Sequence, residues 1–184
     1  VNPHMGLMLK PIWSHPNSLV GTAPLLQTAR QWQVAAAING GFFNRDDQLP
    51  LGAIRRDGRW LSSPILNRGA IAWNDAGQVK IGRLSLAETL VTSEGVRLPI
   101  LALNSGYVQA GVARYTSDWG TYTPLSDNEI IVVVENNQVT AELKGGSAAG
   151  KIAFPSPSDG YLLVTRDDST AARSLRSGTL VHQE

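Results

Sequence analysis

The stretch IIVVVENNQ, residues 130–138, decides the fold class, because five β-favouring apolar residues run straight into the turn Glu135-Asn136-Asn137-Gln138. A run without polar alternation predicts a strand covered on both faces, and Asn accepts the positive φ that a tight reversal demands. The same pattern recurs twice upstream. Asp57-Gly58 lies between AIRR and RWL, and Ala76-Gly77 lies between AIAWN and QVKIG; each Gly supplies the left-handed conformation of a hairpin turn. LAETLV, Glu94-Gly95 and VRLPIL read as a further hairpin, in preference to a helix opened by the capping pattern SLAE at 85–88. Hairpins in succession favour antiparallel pairing over a βαβ alternation.

Other apolar runs extend the strand count: GLMLKPI (6–12), VAAAI (34–38), AIAW (70–73), PILAL (99–103) and YLLV (161–164), several of them central by their lack of alternation. Two helices are expected. Residues 22–32 offer Thr22 as N-cap, Pro24 in the first turn and Leu25, Leu26, Ala29 and Trp32 at helical spacing. Residues 168–177 offer Asp168 or Ser169 as cap, Ala172 and Leu175 as an apolar face and Gly178 as a stop. The expected fold is α+β: a mostly antiparallel or mixed β-sheet with about two helices packed on it.

Composition narrows the function. A chain of 184 residues can bury a core as one domain, and no internal repeat points to a solenoid or propeller. A formal net charge of +1 provides no clustered basic field, so no nucleic-acid partner is expected. Arg outnumbers Lys among the 16 cations, which suits a small ligand carrying carboxylate or phosphate oxygens. With no Cys, and with His4, His15 and His182 outside any ligand spacing, neither a thiolate nor a His-based metal site is expected, and no cofactor is called for. No apolar run reaches the roughly 18 residues of a membrane span, so none is expected.

Three stretches could carry chemistry. VAAAI ends in Asn39-Gly40-Gly41-Phe42-Phe43-Asn44, where paired glycines let the backbone approach a ligand and Asn39 brings a donor and an acceptor; the residues fit equally a glycine turn with two core phenylalanines. Asn104-Ser105-Gly106-Tyr107, followed by Tyr115-Thr116-Ser117-Asp118-Trp119-Gly120, could read sugar hydroxyls and stack on a sugar face, or form a loop anchored by a half-buried Trp. Asn67-Arg68-Gly69-Ala70 places an Arg where it could hold an anion or stand solvated. No pair of carboxylates stands out for glycoside hydrolysis, and no G-x-S-x-G elbow, P-loop or H-E-x-x-H is present.

In order, AAAINGGFFN, PLGAIRRDGRWLSSPILNRGAIAW, ILALNSGYVQAGVARYTSDWG and DGYLLVTRDDSTAARSLRSG resemble the phosphodiester glycosidase family, whose members include the enzyme that removes N-acetylglucosamine from mannose 6-phosphate tags. The resemblance implies hydrolysis of a sugar-1-phosphodiester, in envelope or exopolysaccharide glycan processing, with a periplasmic or extracellular location. It also implies that Asn39, Gly40, Gly41 and Phe42 form one side of the sugar pocket, with Arg68, Asn104, Tyr115 and Trp119 as neighbours in substrate binding. The family's later segments are missing from this sequence: a glycine-rich segment ending in proline, an arginine before a small hydroxyl residue and alanine, and Asn-Leu-Asp-Gly-Gly. Residues 1–184 are therefore expected to be the N-terminal and middle part of one such domain, with a C-terminal fragment of the same protein as partner and most catalytic residues, unassigned here, on that fragment. A non-catalytic carbohydrate-binding module is the competing expectation, and a purely structural module the third.

Overall fold

The computed structural model describes residues 8–45, 48–145 and 152–184. The chain opens with helix α1 (Leu25–Gln31), then the short pair β1 (Phe42–Phe43) and β2 (Pro50–Leu51), and two hairpins, β3 (Ile54–Arg56) with β4 (Arg59–Ser62) and β5 (Gly69–Trp73) with β6 (Val79–Arg83). The remainder supplies β7 (Thr89–Thr92), β8 (Arg97–Leu103), β9 (Gly111–Tyr115), β10 (Thr121–Tyr122), β11 (Glu129–Glu135), β12 (Gln138–Lys144), β13 (Phe154–Pro155), β14 (Gly160–Arg166), α2 (Ser169–Ser174) and β15 (Val181–Gln183). Seven of these strands form one curled sheet in the order β12-β11-β14-β9-β8-β7-β15.

Every ladder in that sheet is antiparallel except β8 with β9. Those two run parallel although only residues 104–110 join them, a far shorter link than the dozen or more residues of a usual crossover. Turn chemistry accounts for the hairpins. Asp57, Gly58, Gly77, Gly95, Asn136 and Asn137 all have positive φ, the conformation that each reversal requires.

Both faces of the central strands are covered. Along β14, Leu162 and Val164 join one cluster with Tyr115, Trp119, Tyr122 and Ile131, while Tyr161 and Leu163 join another with Val132, Val134, Ala171 and Leu175. Alternate side chains point to opposite faces, so a strand buried on both must be apolar throughout, as YLLV is. Gly160 opens β14 opposite Glu135, where a Cβ would collide with the Val134 carbonyl oxygen.

The α+β expectation is corrected: about 40% of the structure is strand and 8% helix, so the fold is largely β. The two helices have 7 and 6 residues. Of the two described helices, α2 is the one that packs into the core of the sheet. Its Asp168 carboxylate accepts from the Thr170 and Ala171 amides at 3.1 and 2.9 Å, capping the helix, and Ala171 and Leu175 enter the core. By contrast α1 begins after Pro24 with no side-chain cap, and its Leu25 and Leu26 remain exposed. It is fastened instead by Trp32, which donates from Nε1 to the Trp13 carbonyl at 2.7 Å and meets the Trp13 ring edge to face. VAAAI forms no strand, and neither do the described residues of GLMLKPI; residues 6 and 7 lie outside the described chain.

One buried polar cluster sits at the end of β11 and β14. Glu129 and Arg166 are directly opposed in the ladder, and Arg166 Nε donates to Glu129 Oε1 at 2.7 Å. Tyr122 donates its hydroxyl to Glu129 Oε2 at 2.7 Å, and Arg166 Nη2 donates to the hydroxyls of Tyr122 and Tyr115. Burial works against the charge on Arg166, but the surrounding Tyr115, Tyr122 and Glu129 outweigh it and hold the guanidinium protonated.

Burial likewise raises the hydroxyl pKa of Tyr115, Tyr122 and Tyr161 above the ordinary tyrosine value. The neutral form is thus favoured in the folded state, so the stability these groups confer is complete below pH 10 and is lost as pH rises beyond it. An alkaline titration followed by tyrosinate absorbance is expected to release these three protons together with loss of near-ultraviolet circular dichroism. Ionisation of all three with that signal intact would contradict the burial.

Candidate functional site

The turn Asn39-Gly40-Gly41-Phe42 lies on the surface. Gly41 adopts φ +69°, which a glycine accepts without strain, and a Cβ built on Gly40 would meet no atom within 4 Å. Internal packing therefore does not demand Gly40. Phe42 is 70% exposed and Phe43 is also exposed, so among the described residues the two phenylalanines are not core.

Arg68 comes to this turn from the start of β5. Its guanidinium carbon stands 5.3 Å from the centre of the Phe42 ring, within cation–π range. The backbone that delivers it is strained: Leu66 and Asn67 both have φ +50°, and the Arg68 amide then donates to the Ile65 carbonyl at 3.0 Å. Left-handed Leu is rare and costs on the order of 1–3 kcal/mol, a strain that concentrates at functional positions. The structure thus brings together Phe42 and Arg68, with Asn39, Gly40 and Gly41 adjacent in the chain.

It places Asn104, Tyr115 and Trp119 elsewhere, in the interior. Asn104 is fully buried at φ +45°; its side-chain nitrogen donates to the Leu61 carbonyl and the Thr116 hydroxyl, and its oxygen accepts from the Thr116 amide, each at 2.8 Å. Tyr115 donates its hydroxyl to the Ser105 carbonyl at 2.9 Å, and Trp119 packs edge to face on the Tyr115 ring at 5.4 Å. These polar atoms are spent internally, so the three residues brace the strand ends and do not face an open surface.

Two arrangements escaped the sequence reading. Arg56 stacks over Trp32 at 4.4 Å and Trp13 at 5.6 Å while Nη1 donates to the Pro11 carbonyl at 2.9 Å. The Glu129–Arg166 pair is the other, and its partners lie 37 positions apart with no local signal to join them. Among the described residues no three His, Asp or Glu side chains gather as metal ligands, and no helix is long and apolar enough to cross a membrane.

Two depressions among the described residues hold about 310 and 320 Å³. One lies between α1 and residues 33–37, and the other is framed by Pro64, Ile65, Leu66, Leu84, Ile100 and Leu101. Neither contains Asn39 or Phe42. The turn with Arg68 is one open wall, whereas small-molecule sites are concave and enclose most of their ligand.

No protein-family profile and no curated protein matches the chain. Among solved structures it is similar to a hypothetical protein from Synechocystis, with 52% identity and a TM-score of 0.90 over 95% of this chain and 33% of that one. It is also similar to a "Putative exported protein" from Burkholderia pseudomallei, with 20% identity and a TM-score of 0.70 over 91% of this chain and 40% of that one. The second likeness is one of fold alone. The chain spans about a third of the length of the first and two fifths of the second.

Proposed function

We propose that this chain supplies the sugar-facing wall of an exported hydrolase that cleaves the bond between the anomeric carbon of a sugar and a phosphodiester oxygen. The single observation that carries the reading is the Arg68 guanidinium held over Phe42 beside the exposed Gly40-Gly41 turn. A guanidinium offers a planar fork that matches phosphate oxygens, and Asn39 can both donate to and accept from sugar hydroxyls.

The chemistry fits the modest acid–base equipment. Water forms the new bond to the anomeric carbon as the bond to the phosphate-bearing oxygen breaks. The electron pair departs on a phosphate monoester that is already a stable anion, and the water proton passes to a base outside these residues. Such a leaving group needs little protonation, so Arg68 can stabilise it through charge alone. A periplasmic or extracellular location belongs to the same reading, supported by the description of the Burkholderia protein as exported.

A non-catalytic carbohydrate-binding role is the second reading. It is favoured by the pairing of nearby-sequence carboxylates: Asp57 is engaged by Lys10 and Arg56, and Asp118 by Arg59 at 2.6 Å. Asn39→Ala in the full-length protein, assayed for release of N-acetylglucosamine from its 1-phosphodiester, is expected to lower kcat/KM by roughly 10–100-fold through loss of one positioned donor–acceptor group. Unchanged turnover removes Asn39 from the site. Saturable sugar binding by the unaltered protein without turnover selects the binding role.

A further inference from the structure

Asn39-Gly40 is the one Asn-Gly step in the sequence. Cyclisation of an asparagine onto its own backbone needs a free side-chain amide and a following nitrogen able to swing onto Cγ, which glycine eases because no Cβ obstructs it. Elsewhere the fold withholds one or the other. At Asn17 and Asn67 the next amide is bonded, Ser18 to the His15 carbonyl and Arg68 to the Ile65 carbonyl, each at 3.0 Å. At Asn74 and Asn104 the side chain is bonded: Asn74 Nδ2 donates to Gln78 Oε1 at 2.8 Å, and Asn104 is engaged through both its nitrogen and its oxygen. Asn39 escapes both restraints. It is exposed with Gly40, outside any helix or strand, and among the described residues neither the Gly40 amide nor the Asn39 side chain makes a hydrogen bond. A Cβ on Gly40 would meet no atom within 4 Å, so nothing crowds the approach.

We propose that Asn39 is a self-modification site, at which the side-chain amide is lost and an acidic residue takes its place. The Gly40 nitrogen gives its proton to solvent base and forms a bond to Asn39 Cγ. The Cγ–Nδ2 bond breaks, and the amide departs as ammonia with a proton taken from water. Water then opens the cyclic imide at either carbonyl, giving aspartate or its isomer linked through the side-chain carboxyl. Water is the sole co-reactant. Either product puts a negative charge into the turn where the Arg68 guanidinium stands 5.3 Å from the Phe42 ring. The isomer also lengthens the backbone by a methylene just ahead of Gly41, which holds φ +69°. The inference does not rest on the sugar-phosphodiester reading.

Incubation of the full-length protein at mildly alkaline pH for several days, followed by peptide mapping with fragmentation to separate Asn39 from Asn44, tests it without reference to activity. Asn39 is expected to convert roughly 10-fold or more faster than Asn17 and Asn67, the factor that an intact hydrogen bond on the attacking amide adds to the barrier. Aspartyl and isoaspartyl peptides are both expected, at a rate that rises with hydroxide. Gly40→Ala, which the open space around Gly40 accommodates, is expected to slow conversion roughly 10-fold through its added Cβ. Conversion of Asn39 no faster than that of Asn17 or Asn67 would overturn the proposal, since the turn is then held in the whole protein. Equal rates with and without Gly40→Ala would overturn it too, because the amide is then lost by direct hydrolysis. Where that variant lowers the thermal midpoint, the isoaspartyl peptide decides instead, because direct hydrolysis yields aspartate alone.

Discussion

Arg166→Met is expected to destabilise the full-length protein by roughly 3–5 kcal/mol, the usual result of stranding one member of a buried ion pair. Glu129 is 2% exposed and its carboxylate accepts from Arg166, from Tyr122 and from the Leu125 and Ser126 amides. Met keeps the apolar stem of Arg166 out to about the Nε position, while the charge on Glu129 loses its counterpart. The double variant Arg166→Met with Glu129→Gln removes both charges and is expected to recover much of the loss. Urea unfolding at neutral pH measures both variants; a single-variant loss under about 1 kcal/mol would show that solvent reaches the pair.

Asn104→Ala is expected to cost about 3 kcal/mol, because it orphans the Leu61 carbonyl and the Thr116 amide and hydroxyl at roughly 1–3 kcal/mol for a buried unpaired group. It also puts Ala where φ is +45°, a conformation Asn tolerates better. The variant separates bracing from ligand contact. A residue that only braces lowers the unfolding midpoint and leaves the KM of the surviving folded protein unchanged, whereas a raised KM with an intact midpoint would return Asn104 to the sugar.

Local grammar made the hairpins legible. Asp57-Gly58, Ala76-Gly77, Glu94-Gly95 and Asn136-Asn137 turn where their positive-φ residues allow it, and IIVVV and YLLV are central strands because nothing polar interrupts them. Both helices stand inside the stretches read for them, and α2 carries the expected Asp168 cap. The same reasoning failed at VAAAI, where apolar composition alone could not supply a neighbouring strand, and at the packing of α1, whose Leu25 and Leu26 stay exposed. At the candidate site, the glycine turn and Arg68 were visible as residue types. Their approach was not, since it depends on the strained backbone at Leu66-Asn67. Asn104, Tyr115 and Trp119 looked like sugar readers because Asn and aromatic rings suit either task. Tyr115 closes β9 on the same face as Ala113, and that alternation was the available sign of an inward side chain.

The strand order has a consequence for biosynthesis. β14 sits between β9 and β11, although it leaves the ribosome after both, and β7 meets β15 only when residues 181–183 have been made. The middle of the sheet is thus filled by late insertion, and until then the growing chain holds open two apolar strand edges. Folding of this region follows translation of nearly all of it, and the unfilled edges between β9 and β11 are exposed to mispairing during that interval.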